Sequence, residues 1–122
     1  MIITDDETLR AVLDPVLPGK VFSPIAPAGT AEPYVIFQDL FAQPENSMCG
    51  FASLDQVHYQ IDTYAITKRE AKALMSAVKA ALRLTTFPPN VENEQGFYEP
   101  DSRLSRRMIQ IIVWVQPEKV TA

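Results

Sequence analysis

Hydrophobic and polar positions alternate with two different periods along this chain, and the change of period marks its elements. Leu9, Val12 and Leu13 recur at helical spacing after Thr4-Asp5-Asp6-Glu7. Thr4 and Glu7 have capping-box spacing, and the three acids suit the positive end of a helix dipole, so a first helix starting at Thr4 is predicted. Pro15 ends it, because the residue before a proline avoids the α region, and Val16 is discounted as helical. Pro15, Pro18, Pro24, Pro27 and Pro33 then impose an extended, ordered connection, anchored by Val21, Phe22 and Ile25, with room for a short strand at Lys20–Ser23.

Tyr34–Phe41 is rich in β-branched and aromatic residues and predicts a strand. Ala42–Ser53 reads as a loop, long for a hairpin, with Met48 and Phe51 as unusual apolar tenants. Leu54–Ile66 alternates with period two, Val57, Tyr59, Ile61, Thr63 and Ala65 on one side and His58, Gln60, Asp62 and Tyr64 on the other. A second helix starts at Thr67, with Glu70 in capping-box position. Ala71, Leu74, Met75, Val78 and Leu82 line its apolar face, opposite Lys68, Lys72, Ser76, Lys79 and Arg83, and Pro88-Pro89 closes it. Val91–Glu99 and Leu104–Gln116 predict two further strands around a turn at Pro100-Asp101-Ser102. The expected order is α-β-β-α-β-β. The fold class is α+β, a four-stranded antiparallel sheet with both helices on one face.

The last strand is apolar on both sides. Met108, Ile112 and Trp114 point one way, and Ile109, Ile111, Val113 and Val115 the other. A strand of this kind is usually covered on both faces. Helices on one face leave the other to a second copy, which makes Ile109, Ile111 and Val113 candidate interface residues, or else to the curl of the sheet and its loops.

Composition narrows the class. With 122 residues, 47% hydrophobic and 21% charged, the chain is expected to form one domain, 1–122, with a proper core. A net charge of −4 argues against specific nucleic-acid binding, which draws its affinity from phosphate neutralisation. The start of the chain shows no basic n-region and no long apolar run, so neither a leader nor a membrane span is expected, and synthesis in the cytoplasm is.

Candidate chemistry is sparse. His58, the only histidine, could be drawn with Cys49 and Asp55 as a thiol–imidazole set, but nothing in the sequence fixes nucleophile and base within hydrogen-bond reach, and a metal site is left with scattered carboxylates. Gly19, Gly29, Gly50 and Gly96 form no phosphate loop. No cofactor, metal or catalytic residue is assigned. Arg103, Arg106 and Arg107 cluster at the start of the last strand, where they can pair with Glu92–Glu99 either within one hairpin or between subunits.

Three segments carry a likeness to a known family: Pro33-Tyr34-Val35-Ile36-Phe37-Gln38, the run from His58 to Leu84, and Tyr98-Glu99-Pro100-Asp101 leading into Ile109–Val115. Within the second, Gln60-Ile61-Asp62, Tyr64-Ala65, Thr67, Glu70-Ala71, Leu74, Val78 and Ala81-Leu82 fit the pattern, as does the turn Ala26-Pro27-Ala28-Gly29-Thr30 before the first strand. The chain resembles the tail completion proteins of long-tailed phages and prophages. The resemblance implies a structural protein without catalysis, made in the bacterial host cytoplasm and built into the virion. Such a protein caps the finished tail tube and forms the tail side of the head–tail junction. The implied partners are further copies of itself in a six-fold ring, from a subunit that can be monomeric in solution, together with the tail tube protein and a head-side connector protein. Met48 and Phe51, in a loop that orders on docking, join Arg103, Arg106, Arg107, Ile109, Ile111 and Val113 as expected contact residues. Another minor tail or connector role, and a small ferredoxin-like ligand-binding module or enzyme, are the alternative readings. The enzyme requires a pocket with convergent polar groups.

Overall fold

The computed structural model describes residues 2–45 and 54–115. The first helix, α1, spans Asp6–Leu13, two residues later than the expected start at Thr4. Its N-cap is Asp5, whose side chain accepts the Thr8 backbone N–H at 2.9 Å while the Thr8 hydroxyl oxygen accepts the Asp5 N–H at 3.0 Å. Aspartate is at least as good a cap as threonine, and this choice puts Leu9, Val12 and Leu13 on the buried side. Pro15 converts the end into a 3-10 turn, Asp14–Val16, from which Val16 packs against the core.

Five strands form a mixed sheet, where four antiparallel ones were expected. The order along the chain is α-β-β-β-α-β-β. A two-residue strand β1 (Val21–Phe22) pairs in parallel with β2 (Tyr34–Glu45), Val21 opposite Val35 and Phe22 opposite Ile36. The remaining strands, β3 (Leu54–Ala65), β4 (Asn90–Glu99) and β5 (Leu104–Val115), pair antiparallel, and the sheet order is β1-β2-β3-β5-β4. β1 falls within the short strand allowed at Lys20–Ser23, which the expected element order left out because a pair of residues carries no periodicity of its own. Its strand character comes from a partner beyond the proline-rich connection. β2 also runs through Ala42 to Glu45, pairing with Val57 to Leu54 past a bulge at Leu40, where a loop was expected. The rest of that predicted loop, Cys49 included, lies outside the described residues.

The second helix, α2 (Lys68–Arg83), is capped by Thr67, whose hydroxyl oxygen accepts the Glu70 N–H at 3.1 Å. Thr67→Ala is expected to lower stability by about 1 kcal/mol, read from denaturant midpoints at unchanged slope. Both helices lie against the same face of the sheet. Leu9 and Leu13 of α1 and Met75, Val78 and Leu82 of α2 close over Val35, Phe37, Tyr59, Ile61, Ile109, Ile111 and Val113. Two polar contacts pin this layer. Thr63, fully buried, donates its hydroxyl to the Ala71 carbonyl at 3.0 Å, and the Tyr59 hydroxyl donates to Asp6 at 2.9 Å. Burial, then the bond to Asp6, push the Tyr59 phenol well above its ordinary range.

Candidate functional site

The helices leave the opposite face of the sheet open, and strand register sorts its side chains into rows. Tyr34, Tyr64, Arg106 and Phe97 face one another across β2, β3, β5 and β4. The tyrosine rings stack at 4.9 Å, and the Arg106 guanidinium lies 5.0 Å from the Phe97 ring centroid. The next row is Ile36, Asp62, Met108 and Gln95, and the one after it an amide row, Gln38, Gln60, Gln110 and Asn93. Beyond the β2 bulge Phe41, His58, Ile112 and Asn90 form a fourth, with Phe41 and His58 stacked at 4.0 Å. Trp114, 41% exposed, follows. This face is therefore not one apolar patch. Amides divide an aromatic row near the α2 N-terminus from an aromatic–apolar row near the far end.

One ion pair is built deep into it. Asp62, 3% exposed, accepts from Arg106 Nε at 2.8 Å and from Gln60 Nε2 at 2.9 Å. Arg106 also reaches Glu99 at 3.3 Å. Burial, then the Asp62 charge, push the Tyr64 phenol up to about 12. The free phenol titrates near 10, so the unfolded chain loses this proton first. The stability that Tyr64 contributes is then complete below pH 10 and lost as pH rises from 10 through about 12. Absorbance titration is expected to show a late tyrosine, and denaturant midpoints to fall across that window.

The expected contact residues separate. Ile109, Ile111 and Val113 sit at 0, 0 and 4% exposure beneath the helices, inside the subunit core, so the side of β5 that stays accessible is that of Ile112 and Trp114. Arg106 and Arg107 make their pairs within the hairpin and with β3: Arg107 Nε meets Glu94 at 2.7 Å on the helix side, and Lys79 of α2 meets the same carboxylate at 2.6 Å. Those bonds hold the Glu94 carboxyl below its usual range, the Lys79 bond chiefly, against opposition from burial. Gly96 makes room for this, since a Cβ there would stand 2.9 Å from the Arg107 guanidinium. Arg103 is exposed in the β4–β5 turn, at φ 60°, its N–H donating to the Glu99 carbonyl. Met48 and Phe51 lie outside the described residues. Asp62 went unnoticed as the partner of Arg106, because their meeting depends on the β3–β5 register.

For a catalytic centre the described residues offer little convergence. A cleft of about 510 Å³ beside the start of α2 is lined by Lys68, Phe97, Tyr98, Arg106 and Arg107. Both of its arginines are already engaged by carboxylates. Among the described residues no group of three or more His, Cys, Asp or Glu is placed to hold a metal ion. The Nε2 of His58 is buried and has no hydrogen-bond partner among the described residues; it lies beside Phe41 and Ile112 and away from that cleft.

What the geometry displays is open sheet edge. The outer edge of β4 has no strand beside it among the described residues, nor does that of β2 beyond Ile36. The family model described as "Tail completion protein gp17" matches residues 3–116. The chain belongs to that family, and so to the structural proteins of phage tails. A chain from the "Virion of native gene transfer agent (GTA) particle" is similar in fold, with a TM-score of 0.68, 16% identity, and coverage of 88% of this chain and 86% of that one. Among curated proteins nothing matches.

Proposed function

We propose that this chain completes the phage tail: copies of it close the finished tube and supply the tail side of the head–tail junction, by shape and contact and without catalysis. The observation that carries the reading is the family match over residues 3–116. The open sheet edges support it, because a ring is closed by one patch meeting a different patch on the neighbour, and this subunit has two unlike edges. Six copies are proposed for the ring, with the tail tube protein below and a head-side connector above. Met48, Phe51 and Arg103 are proposed among the partner contacts. The structural likeness to a particle-borne chain supports the same setting in a virion.

The test is electron microscopy of particles made without the gene. Full heads beside detached tails, some overlong, are expected. Normally joined virions would sink the proposal.

A further inference from the structure

Two groups of charged side chains outside the subunit's ion pairs stand on opposite flanks, one mainly acidic and one basic. On the β2 flank Glu7 and Asp39 line a cleft of about 370 Å³ with Asp6 and Arg10. Arg10 lies over the Phe37 ring, 5.7 Å from its centroid, and Asp6 is bound by Tyr59. Glu7 and Asp39 take part in no ion pair among the described residues.

On the β4 flank the sign reverses. Lys68, Lys72, Lys79 and Arg83 share one stripe of α2, by their spacing of four and seven residues. Lys79 reaches β4 through Glu94, and Lys68 borders the cleft beside Phe97 and Tyr98, so the stripe runs along the β4 side. Lys68, Lys72 and Arg83 are exposed and take part in no ion pair among the described residues. In a chain of net charge −4, a free cationic stripe on one flank facing away from a free acidic cleft on the other is the pattern of a head-to-tail contact. The open sheet face suits that role less well, because its central row is made of amides.

We infer that the α2 stripe of one copy docks on the acidic cleft between α1 and β2 of the next, Lys68 and Lys72 meeting Glu7 and Asp39. This rests on the ring reading above. It adds which flanks meet and why the contact has a direction: like flanks repel, so only the cyclic sense is allowed. Exposed pairs are individually weak and screened by salt, so the contact orients and selects copies, and it weakens as ionic strength rises.

Carbodiimide joins a lysine directly to a carboxylate in contact, so it tests this on assembled wild-type tails. Covalent dimers of this chain linking Lys68 or Lys72 to Glu7 or Asp39 are expected, and at high salt their yield falls. Lys72→Glu and Asp39→Lys, both at exposed positions, are each expected to cut the dimer yield roughly tenfold, and mixing the two variants to restore one cross-linked junction. Thermal melts of the isolated variants check that they fold. Dimers linked only through other residues, with the reversed variants assembling normally, would overturn this interface and leave the ring standing. If the stripe links instead to tube protein, connector protein or nucleic acid, and no dimer of this chain forms, the ring reading falls and takes this interface with it.

Discussion

Arg106→Ala is expected to destabilise the isolated subunit by about 2–4 kcal/mol, more than any other arginine replacement in the β4–β5 hairpin. The reason is what remains behind. Asp62 sits at 3% exposure in the middle of the sheet, and its carboxylate is met by one cation and one amide. Removing the guanidinium leaves a buried charge with Gln60 alone. Arg106 is itself about one quarter exposed, so water entering the vacated site recovers part of the loss, which keeps the figure below that of a fully enclosed pair. Asp62→Asn is expected to cost less, since the amide oxygen keeps a hydrogen bond and no charge is stranded. Arg103→Ala, exposed in the turn, is expected within about 0.5 kcal/mol of the parent. Urea denaturation of the three variants decides the matter. Equal effects at Arg103 and Arg106 would mean that the Asp62 pair does not hold the sheet together.

Ile109→Ala is expected to cost about 3–4 kcal/mol in the isolated subunit, and Trp114→Ala about 1 kcal/mol or less. Both residues belong to β5, five positions apart, and they face opposite ways. Ile109 is fully enclosed between the sheet and the helices, and a rigid layer pinned by Thr63 and Tyr59 has little freedom to collapse into the space left by three lost carbons. Trp114 is 41% exposed, and much of its ring is already in water. Calorimetry or denaturant titration of the free subunit separates core from surface without any assembly partner. A loss at Trp114 as large as at Ile109 would contradict the two-faced arrangement of the strand.

That arrangement shows how far the sequence could be read. The alternation along β5 sorts Met108, Ile112 and Trp114 from Ile109, Ile111 and Val113, because successive strand residues must point to opposite faces. Both groups are apolar, however, so the pattern contains nothing to say which one the helices cover. The choice came from α2, whose own apolar face packs onto β3 and β5 and selects the group with Ile109. The cluster Arg103, Arg106 and Arg107 was legible as a group, and each member then took a different fate. Residues 106 and 107 lie on opposite faces of one strand, and residue 103 lies in the turn before it.

Local chemistry alone therefore determined α2, with its Thr67 cap, its lysine stripe and the Pro88-Pro89 stop, along with the alternation of β3 and β5 and the likeness to tail completion proteins. Each of these is decided within a few residues, by capping, period or wording. Tertiary structure decided the parallel β1–β2 pair, the extension of β2 to Glu45, the Asp62–Arg106 pair and the placing of opposite charges on opposite flanks. All four depend on register or packing between segments far apart in the chain. A hydrogen-bond ladder or an ion pair between such segments exists only once the folded core has brought them into contact.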